Sequence, residues 1–468
     1  MPKRTWRLAA CLIVLVSSRP SATRAEPAAA PFTGPKVDHH QHLLSPELAP
    51  LMETLERGDS RAVELPPAIA DLLRRRTAAW NDAAALAPLY ADQALLSQYG
   101  DTSLLIDDLT VVGRKAVSEH VGGRFARAYV ITPTAYTEVG AVGQLTAVYT
   151  RDDGTERRNL GLAQLSFTKD RAGRWVIAGE TMKFPAPPPY KVLDADALVA
   201  MLDEAEIDRA VVLSGAYLFE NPSAPKLPDA AARLRAENDW TAAQVARHPD
   251  RLVGFCAVNP LTDTALPEIE RCAHDLHLRG LKLHLTNSQV DLSKPEHVAR
   301  MQQVFAAANR LELPLVVHLP GGDSTAGRVM AETFLAQVLP HAPDVVVQIA
   351  HMAGAGPGWN DEALAVLAEA VERGDPRTRN LYFDVATVAD LQKHDQLELL
   401  AKRIRQIGPQ RILYGSDAAF GGRNTPDREW GNFRGMVPLT DAEHAIIRDN
   451  VAPYLRAVDH AQPAPERR

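Results

Sequence analysis

"KVDHHQHLLSP", residues 36–46, sets three histidines and an aspartate within five positions, and its reading decides the fold. Taken as a strand, it alternates its side chains, so Asp38, His40 and His42 project one way and His39 and Gln41 the other. Two imidazoles two residues apart at a strand end can grip one cation. An isolated pair of this kind more often has an ordinary polar role, so its meaning depends on what lies downstream.

From about residue 190 the chain alternates with regularity. Apolar runs of strand length cover 209–215 ("RAVVLSG"), 252–260, 280–285 ("GLKLHL"), 314–321 ("PLVVHLPG"), 345–352 ("VVVQIAHM"), 381–387 ("LYFDVAT") and 411–420 ("RILYGSDAAF"). Segments with apolar residues every three or four positions lie between them, at 194–206, 230–247, 295–311 and 361–373, and read as amphipathic helices. Near-continuous apolar strands separated by helices imply a parallel sheet covered on its faces. Seven such strands are one short of a closed ring, and the opening stretch supplies the eighth, placed first. The expected fold class is therefore α/β, a (β/α)8 TIM-type barrel with its active site at the carboxyl ends of the strands. An open doubly wound sheet fits less well, because no Gly-rich phosphate loop follows the first strand.

Residues 51–186 break this rhythm. A long helical pattern at 68–96 precedes alternating strands at 135–139, 144–151, 160–169 and 175–184, with hairpin chemistry in "RDDGTE" and "KDRAGR". This is α+β organisation inserted in the loop after the first barrel strand, with the proline-rich run 185–189 at its exit. The expected layout is 1–25 signal peptide, 26–35 linker, 36–50 first barrel strand and loop, 51–186 inserted domain, 187–457 the rest of the barrel, and 458–468 a disordered tail. The signal peptide rests on Lys3, Arg4 and Arg7 before the apolar run 8–16 and small residues at 22–25. It implies a periplasmic or secreted protein with no membrane span once removed. Cys256 and Cys272, the cysteines outside that segment, are expected as buried free thiols rather than a disulfide.

The chain has 468 residues, 46% apolar and 23% charged, with a net charge of −7. Disordered and collagenous classes are excluded, and nucleic acid is not an expected partner. The expected partner is a small-molecule substrate, with a homo-oligomer formed through the insert as a further expectation.

His318 ends "PLVVHLPG", His351 stands in "VVVQIAHMAGAG" and Asp417 closes "RILYGSDAAF". Polar stations at the carboxyl ends of strands one, five, six and eight converge on one barrel mouth, which favours a metal site over four separate core or capping roles.

As an ordered set, "DHHQH", "VVH", "IAH" and "YGSD", with the echoes "MLDEAEIDRAVVLS", "NLYFDVA" and "DNVAPYL", resemble the amidohydrolase superfamily. The similarity is to the amidohydrolase-related branch that holds hydrolases and non-oxidative decarboxylases, and it covers residues 36–50 and about 190–455. It implies that His40, His42, His318 and Asp417 bind one divalent metal ion, with Zn2+ first and Mn2+ or Fe2+ as alternatives. It also implies that His351 works as a general acid/base or electrophilic group and that Asp417 doubles as a proton acceptor. Binuclear members carry a carbamylated lysine or a glutamate on strand four. Here strand four offers Lys282 and His284, expected as substrate or barrel-interior contacts. Arg423, in the Gly-rich loop "AFGGRNTPDREWGNFRG" with Arg428 and Trp430, is a further candidate substrate contact. The insert, through "AAWNDAAALAPLYADQALL" and "AGRWVIAGETM", resembles the SnoaL-like cone-shaped fold and is expected to serve as a lid or oligomer contact. Asp82, Tyr99 and His120 are its candidate interior polar groups, with capping or solvated roles weighed above catalytic ones.

The expected activity is hydrolysis of an amide, ester or lactone bond of a small molecule by metal-activated water. A metal-dependent decarboxylase of an aromatic or unsaturated acid is the alternative, and a non-catalytic binding or scaffold protein the contrasting class.

Overall fold

The computed structural model describes residues 34–57, 63–79, 82–99, 109–123, 129–152, 157–183, 190–222, 227–320, 325–389, 394–421 and 425–456. The expected signal peptide, most of the linker, the proline-rich exit, Arg423 and the C-terminal tail lie outside these residues.

Eight strands follow one another in a single parallel sheet: Val37–Gln41, Arg209–Leu213, Leu252–Ala257, Leu281–His284, Leu315–His318, Val347–Ile349, Leu381–Asp384 and Ile412–Leu413. Their order in space is their order in the chain. The His39 amide donates to the Tyr414 carbonyl at 2.9 Å and the Asp417 amide to the His40 carbonyl at 2.8 Å, so strand eight returns to strand one and the barrel closes. Gly415 permits the seam, because a Cβ there would meet the His40 Cβ at 2.6 Å. Helices Ala195–Glu204, Ala230–Val245, Pro295–Arg310 and Pro357–Glu372 fall where the three-to-four spacing placed them. Their apolar faces cover strands whose residues are almost all buried.

Strict alternation fails in strand one. A register shift against strand two lies between Asp38 and Gln41. The Gln41 amide therefore reaches Asp38 Oδ2 at 3.1 Å, where alternation would have placed the two on opposite faces. Ser416 also donates to Asp38, from its amide at 3.0 Å and its hydroxyl at 2.6 Å. His39 does turn away from the mouth. Its Nδ1–H donates to the Tyr414 carbonyl and its Nε2 accepts from the Ala452 amide at 3.1 Å.

The insert carries a second, six-stranded sheet, with the order Leu109–Val112, Tyr90–Tyr99, Trp175–Lys183, Arg157–Lys169, Val142–Asp152, Tyr129–Val139. Helices Pro67–Ala78 and Arg114–Gly123 help to enclose its core around Leu86, Leu96, Ile177 and Phe167. This is the expected α+β insert, but the long helical pattern at 68–96 is only partly helix. The helix Pro67–Ala78 ends, Asp82 caps a short helix Ala83–Leu86, and Tyr90–Tyr99 is a strand. "YADQALLSQY" lies between two partners in the sheet, and those contacts outweigh its helical spacing. Asp82 is thus a cap, accepting from the Ala84 and Ala85 amides, both at 3.0 Å. Among the described residues, the insert also buries the side chains of Arg76, Tyr90 and Glu180. Its hairpin tip reaches the barrel, where Val139 joins the barrel core and Gly140 sits beside the carboxylate of Asp291, in the loop after strand four.

The two thiols are not free. Cys256 on strand three and Cys272 on the following helix, Ala265–His274, form a disulfide. A sequence separation of 16 hides a close approach that only strand–helix packing creates. Trp430 is also structural: it is 2% exposed and packs edge-on against Tyr414, with ring centroids 5.5 Å apart. Arg428 is exposed on the helix Pro426–Met436. No helix among the described residues is long and apolar enough to cross a membrane.

Candidate active site

The polar stations meet at the carboxyl mouth of the barrel. His40 and His42 come from the end of strand one, Lys282 and His284 from strand four and His318 from strand five. His351 follows strand six and Asp417 follows strand eight. The ring centroids of His40 and His351 are 4.5 Å apart, those of His318 and His351 4.9 Å, and those of His284 and His318 3.9 Å. One ligand atom each from His40, His351 and Asp417 lies within 4.8 Å of the others. His42 Nε2 is 3.5 Å from Asp417 Oδ1, and His351 Nε2 is 3.9 Å from Asp417 Oδ2.

The outer nitrogens decide what the inner ones can do. His40 Nδ1 donates to Asp384 Oδ2 at 3.0 Å, His42 Nδ1 to the Leu213 carbonyl at 2.7 Å, and His351 Nδ1 to the Ala386 carbonyl at 2.9 Å. In each neutral ring Nε2 is therefore unprotonated and presents a lone pair. Burial keeps these rings neutral, holding His40 down at about 3, His42 well below the ordinary histidine range and His351 also below it.

Asp417 Oδ1 is buried and has no hydrogen-bond partner. Burial raises the Asp417 carboxyl and lowers the Lys282 ammonium, while the proximity of the two charges opposes both shifts. Imidazole lone pairs around an orphaned carboxylate oxygen form a donor set that fits one divalent cation. Lys282, expected as a substrate or interior contact, lies within the barrel with Nζ 3.2 Å from His40 Nε2. Phe420 stacks on His42 at 3.8 Å and closes that side.

His351 and Asp417 both have φ of 52°, in the left-handed region that residues with side chains rarely occupy. The strained backbone lets each side chain leave its strand sharply toward the mouth.

Asp384 was missed in the sequence. Besides His40, it accepts from the His351 amide at 2.8 Å and from Gln348 Nε2 at 2.7 Å. Burial works against its charge, but His40 and His351 outweigh burial and hold the carboxyl well below the ordinary range. An acid inside the apolar run "LYFDVA" was the available signal. Tyr454 extends the chain by donating to Gln348 Oε1 at 2.9 Å, and nothing in its local sequence marks that role.

The family model described as amidohydrolase matches residues 190–451. No curated protein is found to match the chain. Among solved structures, a crystal structure described as an amidohydrolase II is 15% identical over 55% of this chain and 87% of its own, with a TM-score of 0.41. An uncharacterised TIM-barrel protein from Bordetella bronchiseptica is 16% identical over 54% of this chain and 78% of its own, with a TM-score of 0.36. An NTF2-like protein with a cystatin-like fold from Novosphingobium aromaticivorans is 21% identical over 25% of this chain and 79% of its own, with a TM-score of 0.20. The family match spans more than half of the 468 residues, and the chain belongs to the amidohydrolase family.

Proposed function

We propose that the protein is an exported, metal-dependent hydrolase that cleaves an amide, ester or lactone bond of a small molecule. Membership of the amidohydrolase family makes it an enzyme of the hydrolase or decarboxylase kind. The observation that carries the finer reading is the gathering of histidine Nε2 atoms around the Asp417 carboxylate, whose Oδ1 has no hydrogen-bond partner. His40, His42, His318 and Asp417 would hold one divalent cation, with zinc the best match to three imidazoles and a carboxylate. When bound, such a cation supplies Lewis acidity to a water and to an acyl oxygen.

The chain's own residues manage the protons. Asp417, whose carboxylate lies between His42 and His351, would receive the proton of the attacking water. His351 Nε2, 3.9 Å from Asp417 Oδ2, passes it to the leaving group. The Ala386 carbonyl holds the His351 ring on the tautomer that can accept a proton at Nε2. The hairpin tip at Val139 and Gly140 rests against the loop after strand four, which supports a covering role for the insert at the mouth. The N-terminal signal pattern and the buried Cys256–Cys272 disulfide together support an oxidising, extracytoplasmic compartment.

The test is elemental analysis of the purified protein, followed by a screen of lactones, esters and amides with product identification. One equivalent of divalent metal and hydrolysed product are expected. Clearly substoichiometric metal after soaking with zinc would overturn the enzyme reading. Carbon dioxide release without hydrolysis would replace it with the decarboxylase.

A further inference from the structure

His284 differs from its neighbours in which nitrogen it turns outward. His40, His42 and His351 each donate from Nδ1 and leave Nε2 unprotonated. In His284 the direction is reversed, because the backbone N–H of Asn287 donates to Nδ1 at 3.2 Å. That nitrogen carries no proton, so the ring is neutral and its proton sits on Nε2. A protonated nitrogen has no lone pair to offer a cation.

The ring is nonetheless at the mouth. It is only half-buried and stacks on His318 at 3.9 Å with 12° between planes, because the two residues are in register on adjacent parallel strands. Tyr217, in the turn after strand two, lies beside it with ring centroids 5.1 Å apart. The Asn287 side chain also hydrogen-bonds the Tyr217 hydroxyl, in the sense that favours the phenolic oxygen as acceptor, and a phenol that accepts keeps its own O–H as a donor. Asn287 thus orients two neutral donors, one through its backbone and one through its side chain.

We propose that His284 Nε2–H and Tyr217 O–H form a donor pair for an anionic substrate oxygen, beside the cation site and not part of it. The oxygen is either that of a carboxylate or the one a carbonyl acquires when water adds to it. Preorganised neutral donors suit both, since they stabilise negative charge without neutralising a cation nearby. This inference rests on the metal-site reading, and two measurements separate their failures.

The first measurement is nitrogen NMR of the metal-free protein labelled with 15N-histidine. The His284 signals are assigned by their absence from His284→Gln. A protonated Nε2 is expected, and a protonated Nδ1 would overturn the proposal even if metal binds.

The second measurement uses cobalt(II)-loaded protein titrated with acetate and with methylphosphonate, followed by the visible cobalt bands. His284→Gln and His284→Leu should keep their cobalt, whereas His318→Gln should lose it. His284→Leu and Tyr217→Phe should each weaken anion binding by about tenfold, with His284→Gln close to wild type because it retains an N–H donor. Tighter acetate binding would assign the carboxylate, and tighter methylphosphonate binding the tetrahedral oxyanion. Anion binding indifferent to both donors, or loss of cobalt from both His284 variants, would overturn the proposal. If the wild type takes up no cobalt, the metal-site reading fails and the NMR result still decides the ring proton.

Discussion

The barrel mouth and the interior of the insert each bury a cluster of ionisable groups, and the two clusters end in opposite states. In the insert, Arg76 donates to both oxygens of Glu180, at 2.5 and 3.1 Å, and Tyr90 donates to Glu180 Oε2 at 2.9 Å. All three residues are fully buried, and the carboxylate is matched bidentately by the guanidinium. At the mouth, the unprotonated Nε2 of His42 lies 3.5 Å from Asp417 Oδ1, a buried carboxylate oxygen that has no donor, while His40 Nε2 faces the Lys282 ammonium. What separates the two is the carboxylate: that of Glu180 is matched by a guanidinium and a phenol, whereas Asp417 Oδ1 has no donor and is left to receive something. Burial or residue type alone would not have told them apart.

The most severe way to break this contrast is to open the closed cluster. Glu180→Ala strands a buried guanidinium and is expected to destabilise the insert by about 3–5 kcal/mol. Chemical denaturation should show this as an early transition, while molecules still folded in the barrel keep their metal content. Equal loss of metal and insert stability would mean that the two clusters are not separable.

A second test uses a carboxyl that belongs to neither cluster. Glu237 is buried beside the first loop, where Ser45 donates to it at 2.5 Å and its other oxygen has no partner. Burial pushes its carboxyl up to about 7. A carboxyl whose pKa is raised on folding contributes most below its unfolded pKa, and that contribution is lost as pH rises through the folded value. Stability should therefore fall between about pH 4.5 and pH 7, by on the order of 3 kcal/mol from this group. Glu237→Gln should flatten that part of the profile in thermal unfolding at stepped pH. An unchanged slope would remove Glu237 as its source.

The mildest test sharpens the contrast at the mouth. Asp384→Asn leaves the lone-pair nitrogens in place but weakens the hold on His40, and should reduce metal affinity by about 10–100-fold in chelator competition. Tyr454→Phe acts two hydrogen bonds further away and should cost a few-fold at most. A larger effect from Tyr454 than from Asp384 would contradict the order of the chain Tyr454–Gln348–Asp384–His40.

Much of this molecule was legible in one dimension. Strand and helix periodicities predicted the barrel, since a buried parallel strand is apolar along its length and its covering helix repeats every three to four residues. His40, His42, His318, His351 and Asp417 could be found because each interrupts or ends such a run with a polar group. The strand at Tyr90–Tyr99 could not, because its spacing also suits a helix and its neighbours in the sheet decided the matter. The disulfide, the register shift beside Asp38 and the insert's buried ion pair likewise depend on residues brought together from elsewhere in the chain.

By itself the sequence determined the alternation of elements, the interruption by a second domain and the polar residues at the strand ends, all of which are local patterns of hydrophobicity. Tertiary structure alone decided which nitrogen of each imidazole faces the mouth, because that choice is made by partners 3 to 344 residues away: Asn287 for His284, and Asp384 for His40. A proton's position on a ring follows from the group opposite it, and only folding supplies that group.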